Sequence, residues 1–223
     1  IDGEEVDDQT DFNKLFAAER ADRVIENAEL YGCDDGEVRG LVFCSRNEIA
    51  LELSKQFNEK GYNTIALTGD NSEDERRSAI ESLESEENKD RLDYIFTVDI
   101  FNEGIDIPRV NQIIMLRPTQ SAIIFVQQLG RGLRKNDSKD YLTVIDFIGN
   151  YNNNYLVPIA LYGDRTYNKD TLRKLLTSGS SHIPGSSTIN FDEISKERIF
   201  DAIDKANMSK LVALKIDYNN LKN

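Results

Sequence analysis

The sequence predicts a doubly wound parallel α/β sheet followed by a mainly helical C-terminal appendage. Short apolar runs alternate with amphipathic, helix-like segments up to about residue 149, and this alternation indicates βαβ units. The apolar runs are near-continuous, which is typical of strands that are buried on both faces of a parallel sheet. Beyond about residue 149 the alternation stops, and polar turns separate further helix-like segments. We expect ligands at the carboxyl ends of the strands, as in other open α/β sheets.

Each element follows from a local pattern. Five segments have the length and apolar content of buried strands: residues 40–43, 63–67, 94–98, 111–116 and 141–147. Helical periodicity predicts helices over residues 10–31, 47–59, 72–83, 120–130 and 195–206. Ser72 and Glu75 have the spacing of a capping box at the start of helix 72–83. Gly61 is placed to end helix 47–59.

These elements suggest three regions along the chain. We predict a helical lead-in over residues 1–37, an α/β domain over residues 38–163 and a helical segment over residues 164–223. The 223 residues are 39% hydrophobic and 30% charged, which is enough for one sizeable core and an appendage. The chain begins with Ile1 rather than Met, which suggests a piece of a longer protein.

Composition favours a cytoplasmic protein without a membrane span or a metal site. No apolar run approaches the ~18 residues that a membrane-spanning helix needs, and no signal-peptide pattern opens the chain. Cys33, Cys44 and His182 do not have the spacing of metal ligands, and we expect both cysteines to be reduced.

The net charge of −13 predicts weak nucleic-acid binding by this chain alone. The charge is unevenly distributed, because acidic residues crowd positions 2–8 and 81–93. Between residues 107 and 136 there is no carboxylate, so an anionic ligand would meet a locally positive surface there. The basic residues of this stretch are Arg109, Arg117, Arg131, Arg134 and Lys135.

The most informative motif is the octet QQLGRGLR at residues 127–134. Arg131 and Arg134 are three residues apart in a helix-like segment, which puts both guanidinium groups on one helical face. A transferring phosphoryl group needs planar, permanently charged donors, because its negative charge spreads over the equatorial oxygens. We interpret both residues as arginine fingers. For the motif taken alone, two surface arginines at a helix end are the alternative.

Two further motifs lie at the ends of predicted strands. One is FTVDIFNEGIDIP at residues 96–108, and the other is GLVFCSR at residues 40–46. In chain order, GLVFCSR, FTVDIFNEGIDIP and QQLGRGLR resemble motifs IV, V and VI of superfamily 2 DEAD/DEAH-type helicases, on the second of their two RecA-like lobes. The resemblance covers about residues 38–148. The later string FIGNYNNNYLVPIAL, followed by GDRTYNKDTLRKLL and IPGSSTINFDEISKERIF, resembles the helicase-associated segment of a bacterial subgroup, in which some members carry a nuclease-like domain.

The resemblance implies an ATP site between this lobe and a first RecA-like lobe that lies outside the chain. Arg131 and Arg134 would stabilise the γ-phosphoryl transition state, and Gln127 would orient groups at the nucleotide. Asp106 would accept a hydrogen bond from a ribose hydroxyl. Further nucleotide contacts are implied for Gly104 and Gly130. Contacts to nucleic acid are implied for Ser45, Arg46, Thr68, Gly69, Thr97 and Asn102.

The residues themselves also support an interpretation of the loops that follow the first two predicted strands. Ser45 and Arg46 follow a strand and precede a helix whose first amides can bind a phosphate. An ordinary turn in which Ser45 caps that helix is the alternative. Thr68 and Gly69 follow the next strand in the same way. Thr97 departs by one position from the Thr-Asp pair of the family, whose places are taken here by Val98 and Asp99.

The chain lacks a phosphate-binding loop, because the dipeptide Gly-Lys does not occur in it. We therefore expect the first lobe to hold Mg²⁺, and we expect this chain alone to be inactive in ATP hydrolysis. The pair Asp192-Glu193 resembles a Walker B motif. It follows the octet and has no long apolar strand before it, so we interpret it as the acidic start of helix 195–206.

The sequence thus predicts the second motor lobe of an ATP-dependent helicase or translocase, with nucleic acid, and DNA in particular, as its partner. The alternative is a non-catalytic nucleic-acid-binding or regulatory module that keeps the same fold.

Overall fold

The computed structural model describes residues 18–86, 91–98, 107–117, 139–147, 154–164, 166–178 and 188–208. These residues belong to two compact units. One is an α/β unit within residues 18–147, and the other is a helical unit within residues 154–208.

The α/β unit is built on five parallel strands. They are β1 (Gly40–Cys44), β2 (Thr64–Leu67), β3 (Tyr94–Thr97), β4 (Gln112–Leu116) and β5 (Thr143–Asp146). Their order across the sheet is β2-β3-β1-β4-β5, and every neighbouring pair is parallel. β1, β3 and β4 are buried along their whole length, which explains their continuous apolar sequences. The predicted α/β fold with a parallel sheet is confirmed.

Among the described residues, three α-helices flank the sheet: α1 (Ala18–Tyr31), α2 (Asn47–Glu59) and α3 (Glu73–Glu84). α2 packs on β1, β2 and β3, whereas α3 packs on β3. The connection from β1 to β2 crosses the sheet in one direction, and the connection from β2 to β3 returns in the other. Right-handed crossovers in opposite directions place their helices on opposite faces, so α2 and α3 cover the two sides of the sheet.

The sequence signals at the helix ends are confirmed. α2 has the predicted bounds, and Gly61 adopts a φ of 97° just beyond it. The Ser72 hydroxyl accepts a hydrogen bond from the Glu75 N–H at 3.2 Å, and the Glu75 carboxylate accepts the Ser72 N–H at 2.7 Å. The strands agree with the predicted ranges to within two residues at each end. The predicted helix 120–130 and residues 10–17 of the first predicted helix lie outside the described residues.

Gly40 provides the space for a cross-sheet contact. It is the register partner of both Tyr94 on β3 and Gln112 on β4. A Cβ atom on Gly40 would lie 2.1 Å from Tyr94 Cδ1, so only glycine leaves room for the ring. The Tyr94 hydroxyl donates to Gln112 Oε1 at 2.6 Å. Gln112 Nε2 donates to the carbonyls of Ala28 and Gly32 at 3.0 and 2.8 Å, which connects the end of α1 to the sheet.

We call the side of the sheet where the strands begin the amino edge. Asn111, just before β4, has all its side-chain polar atoms bonded there. Its Oδ1 accepts the Arg39 N–H at 2.8 Å, and its Nδ2 donates to the carbonyls of Asp34 and Glu37 at 3.1 and 2.8 Å. These bonds join segments that are more than 70 residues apart in sequence.

Lys139 and Arg109 add further bonds at the amino edge. The Lys139 ammonium donates to the carbonyls of Pro108 and Val110 at 2.8 and 2.7 Å. The Arg109 N–H donates to a Glu84 carboxylate oxygen at 3.1 Å. This edge is therefore held together by hydrogen bonds within the chain.

The helical unit contains α4 (Leu156–Tyr162), α5 (Lys169–Ser178) and α6 (Glu193–Lys205). Asp192 caps α6, because its carboxylate accepts hydrogen bonds from the N–H and the hydroxyl of Ser195, both at 2.8 Å. The predicted helix is confirmed, with its start at Glu193. The core of the unit is formed by Ile159, Leu172, Leu176, Ile199, Ile203 and Met208.

Within the described ranges, no helix is both long and apolar enough to cross a membrane.

Candidate functional site

Five of the six predicted nucleic-acid contacts lie where strands end, on the side of the sheet that we call the carboxyl edge. Ser45 and Arg46 follow β1, Thr68 and Gly69 follow β2, and Thr97 is the last residue of β3. β3 lies between β2 and β1. The structure therefore brings these three segments together as neighbours at one edge.

Ser45 and Arg46 connect β1 to α2, and both are half-buried. Arg46 is at the N-cap position, and neither its side chain nor the Ser45 hydroxyl forms a capping hydrogen bond with the described residues. The alternative in which Ser45 caps the helix is therefore wrong. Ser45 Oγ is shielded from solvent and forms no hydrogen bond within the described part of the chain. The first amides of a helix also lack intrahelical partners, so this connection has donors for an anion.

Thr97 ends β3 between Phe43 of β1 and Leu67 of β2, and it is completely buried. Its Oγ1 has no hydrogen-bond partner among the residues that the structure describes. A buried polar group without a partner costs about 1–3 kcal/mol. Thr97 lies one position before the place of the family's threonine, and its side chain is in the interior of the unit. Direct contact of Thr97 with nucleic acid stays a prediction.

The turn from Thr68 to Asn71 follows β2 and bonds mainly to itself. Asn71 Oδ1 accepts the Thr68 N–H at 2.7 Å, and the Thr68 carbonyl accepts the Asn71 N–H at 3.2 Å. The Asp70 N–H donates to the Thr68 hydroxyl at 3.3 Å. Arg76, on α3, donates through Nη2 to the carbonyls of Thr68 and Gly69 at 3.4 and 3.1 Å. Thr68 is buried, whereas Gly69 is exposed.

Two residues at this edge were not identified from the sequence. Arg76 lies one helical turn after the capping residue Ser72, and helical side chains point back toward the N-terminus, which is the signal that would have found it. Asp146 ends β5, and burial raises the pKa of its carboxyl from 3.8 to about 7. Its Oδ2 has no hydrogen-bond partner in the described ranges. The only sequence signal for Asp146 is an acidic residue at the end of an apolar strand.

Seven predicted site residues lie outside the described residues, and their roles stay predictions. They are the predicted catalytic residues Gln127, Arg131 and Arg134, the predicted nucleotide contacts Gly104, Asp106 and Gly130, and the predicted nucleic-acid contact Asn102.

Across the part of the chain that the structure describes, no group of three His, Cys, Asp or Glu side chains is placed to hold a metal ion. Neither Cys33 nor Cys44 forms a disulfide within the described part of the chain. Burial raises the pKa of the Cys44 thiol far above its usual value, although Arg117 acts in the opposite direction. The Cys44 thiol is therefore protonated and unreactive at neutral pH.

The chain belongs to the family of the helicase conserved C-terminal domain, because residues 22–136, more than half of its length, match that family. With the parallel sheet, this match identifies the C-terminal RecA-like lobe of a superfamily 2 helicase.

Individual relatives agree with this family. A Saccharomyces cerevisiae protein named as an ATP-dependent helicase, IRC3, is 31% identical over 136 residues, which are 61% of this chain and 17% of that protein. The EcoKI endonuclease subunit of the type I restriction enzyme of Escherichia coli is 30% identical over 135 residues, which are 56% of this chain and 11% of that protein. The chain thus spans less than a fifth of the length of either relative.

A solved structure also shows the fold. The crystal structure of the yeast DEAD-box splicing factor Prp28 superposes on this chain with a TM-score of 0.56 and 15% sequence identity. The superposition covers 82% of this chain and 34% of that one.

Proposed function

We propose that this chain supplies the second motor lobe of an ATP-dependent helicase or translocase that acts on nucleic acid. The observation that carries the proposal is the carboxyl edge. There, the Ser45 hydroxyl without a partner in the described ranges and the uncapped α2 follow β1, and the exposed Gly69 follows β2, two strands away in the sheet. Such groups bind the phosphates of a nucleic-acid backbone through N–H and O–H donors. Membership of the helicase C-terminal family supports the motor role.

ATP is the proposed substrate, bound between this lobe and a first lobe that provides the phosphate-binding loop and holds Mg²⁺. In this proposal Arg131 and Arg134 stabilise the charge that develops on the γ-phosphoryl group. Gln127 orients groups at the nucleotide, Asp106 accepts a hydrogen bond from the ribose, and Gly104 and Gly130 allow close approach of the backbone. This chain alone does not hydrolyse ATP.

One strand of nucleic acid, which we propose to be DNA, lies along the carboxyl edge. The choice of DNA follows from the resemblance of the region beyond residue 163 to a helicase-associated segment. Closure of the two lobes on ATP and their opening after hydrolysis move the strand. The proposed contacts are Ser45, Arg46, Thr68, Gly69, Thr97 and Asn102.

The test is the substitution Arg131→Ala in the full-length parent protein. We expect nucleic-acid-stimulated ATP hydrolysis to fall by about a thousandfold or more, because the finger acts on the transition state. The dissociation constants for single-stranded DNA and RNA oligonucleotides should stay close to those of the wild type, with DNA bound more tightly. Arg23→Ala removes an exposed guanidinium from α1 and serves as the control.

Unchanged ATP turnover in Arg131→Ala would refute the arginine-finger assignment. A wild-type parent protein that binds nucleic acid and hydrolyses no ATP would support the non-catalytic module instead of the motor.

A further inference from the structure

The helical unit contains an open cavity that is lined by residues outside the three helicase motifs. Its volume is about 520 Å³, and it lies between residues 167–170 at the start of α5 and residues 205–208 at the end of α6. Pockets that bind small molecules have volumes of roughly 300–1,000 Å³, so this cavity has room for one nucleotide.

Tyr167 lines the cavity in a backbone conformation that favours glycine. Its φ of 52° is the only positive φ of a non-glycine residue in the described part of the chain. The Asp164 carboxylate holds this turn, because it accepts the Tyr167 N–H at 2.9 Å and the Thr166 hydroxyl at 2.8 Å. Such conformations are sterically unfavourable and are concentrated at binding sites. The half-buried Tyr167 side chain packs against the core of the unit, which fixes the ring beside the cavity.

Positive charge lies on both sides of the cavity. Lys169 begins α5 on one side, and Lys205 ends α6 on the other. The Lys169 ammonium donates to the Asp204 carbonyl at 2.7 Å and forms no ion pair with the residues that the structure describes. An ammonium group has three donors, so two of them remain for a ligand.

The carboxylates and amides next to the cavity are already bonded. Arg173 forms ion pairs with Asp170, at 3.1 Å, and with Asp204. Asn168 Oδ1 accepts the N–H groups of Asp170 and Thr171 at 2.9 and 3.1 Å, which occupies the first amides of α5. A negatively charged ligand would therefore be bound by the lysine side chains and not by the helix N-terminus.

We propose that this cavity binds one nucleotide of the single strand on which the motor acts. The base stacks on the Tyr167 ring, and the phosphate lies at the Lys169 ammonium. An aromatic ring beside basic side chains is the arrangement by which proteins bind single strands without reading their sequence. This inference rests on the proposed function and adds a strand contact within the helical unit.

The experiment measures binding of a fluorescent single-stranded DNA oligonucleotide to the full-length parent protein over a series of salt concentrations. Lys169→Gln should reduce the slope of log K against log salt by about 0.7, because one phosphate contact is lost. Lys169→Arg keeps the charge and should keep the wild-type slope. Lys174→Gln is the matched control, since it removes the same charge from an exposed position of α5 that does not line the cavity. It should keep both the affinity and the slope.

Tyr167→Leu tests the stacking contact separately from the charge. We expect it to weaken binding about tenfold at every salt concentration. The salt slope should stay at its wild-type value, because loss of stacking changes no phosphate contact. Tyr167→Phe keeps the ring and should keep the affinity. The Lys169 variants retain the Tyr167 packing, so they test the site even if Tyr167→Leu does not fold.

A free nucleotide has the same aromatic base and phosphate as a nucleotide of a strand. Competition with deoxyadenosine monophosphate distinguishes these two sources. We expect no displacement of the oligonucleotide, because a single nucleotide forms only one stack and one phosphate contact. Displacement that is lost in Lys169→Gln would assign the cavity to a free nucleotide and would overturn the inference.

Two further outcomes would overturn the inference while the proposed function stands. One is wild-type affinity in both Tyr167→Leu and Lys169→Gln, and the other is an equal salt slope in Lys169→Gln and Lys174→Gln. A wild-type parent protein that binds no oligonucleotide would overturn the proposed function and this inference together.

Discussion

The two edges of the sheet in the α/β unit differ in how their polar groups are satisfied. At the amino edge, the side-chain amides of Asn111 and Gln112 bond to backbone and side-chain groups of distant segments. At the carboxyl edge, Ser45 Oγ, Thr97 Oγ1 and Asp146 Oδ2 have no partner within the described ranges. Unpaired buried groups lower stability and persist where something else completes them. The amino edge therefore supports the fold, and the carboxyl edge is suited to binding.

Arg39 Nε, and Gln56 Oε1 in the last turn of α2, depart from this pattern near the amino edge. Arg39 Nε is buried without a partner among the residues described. The other two nitrogens of the same guanidinium donate to Glu37 and Ser85, so the group as a whole is bonded. Ser45 and Thr97 have only one polar side-chain atom each, and neither atom has a partner among the residues that the structure describes.

The largest expected effect concerns Asp146. Its pKa of about 7 in the folded state lies above the ordinary 3.8. Between these two pH values the Asp146 carboxyl is therefore protonated in the folded state and ionised in the unfolded chain. The contribution of Asp146 to stability therefore falls as the pH rises from about 4 to about 7. The free energy of unfolding of Asp146→Asn, relative to wild type, should rise over this range by up to about 4 kcal/mol, at 1.36 kcal/mol per pK unit.

Urea denaturation of both chains at a series of pH values measures this difference. A difference that stays constant from pH 4 to pH 8 would show that Asp146 is paired in solution. Only Ser45 and Thr97 would then distinguish the carboxyl edge from the amino edge.

Gly40→Ala should destabilise the chain by about 3 kcal/mol, because its Cβ would lie 2.1 Å from the Tyr94 ring. Gly69→Ala, at the opposite edge, has open space and should stay within about 0.5 kcal/mol of wild type. Chemical denaturation of the two variants compares the edges with the same substitution. Equal losses would contradict the assignment of stability to the amino edge.

Asn111→Ala should cost about 2 kcal/mol, since it removes three hydrogen bonds and leaves the Arg39 N–H and two carbonyls without that partner. The control is Asn47→Ala, which removes an exposed amide at the start of α2 and should change stability by less than about 0.5 kcal/mol. Denaturation midpoints give both values, and a neutral Asn111→Ala would mean that water replaces these bonds.

The smallest effect compares two buried threonines. Thr97→Val removes an unpaired hydroxyl and should stabilise the chain by about 1 kcal/mol. Thr64→Val, at the start of β2, removes a hydroxyl that lies 2.8 Å from Ser54 Oγ and donates to the Ser54 carbonyl at 3.0 Å, so it should destabilise by about 1 kcal/mol. The midpoint temperatures of thermal unfolding of the two variants should therefore shift in opposite directions. Shifts in the same direction would show that the two hydroxyls do not differ in hydrogen bonding.

The elements that depend on neighbours along the chain could be predicted closely. The apolar runs predicted the five strands, and Ser72 with Glu75 predicted the start of α3. The connection after β1 was less predictable. Ser45 has the residue type of a helix cap, yet Arg46 lies at the N-cap, and the Ser45 hydroxyl has no hydrogen-bond partner in the described ranges. Residue type alone does not decide which position the backbone brings into capping geometry.

The partners of polar side chains could not be predicted in the same way. Asn111 bonds to Asp34, which is 77 residues away, and Arg76 bonds to two carbonyls whose orientation depends on the turn. In the sequence, Asp146 is an ordinary acidic residue, and only its burial in the fold raises its pKa.

The sequence by itself determined the order of strands and helices and the three motifs that resemble superfamily 2 helicases, because periodicity, capping and motif spacing are properties of adjacent residues. Only the tertiary structure decided which polar groups are paired and which are not. Burial and hydrogen bonding depend on segments that meet in space. The folding of five parallel strands placed the bonded amides of Asn111 and Gln112 at one edge, and it placed the Ser45, Thr97 and Asp146 atoms that have no partner in the described ranges at the other.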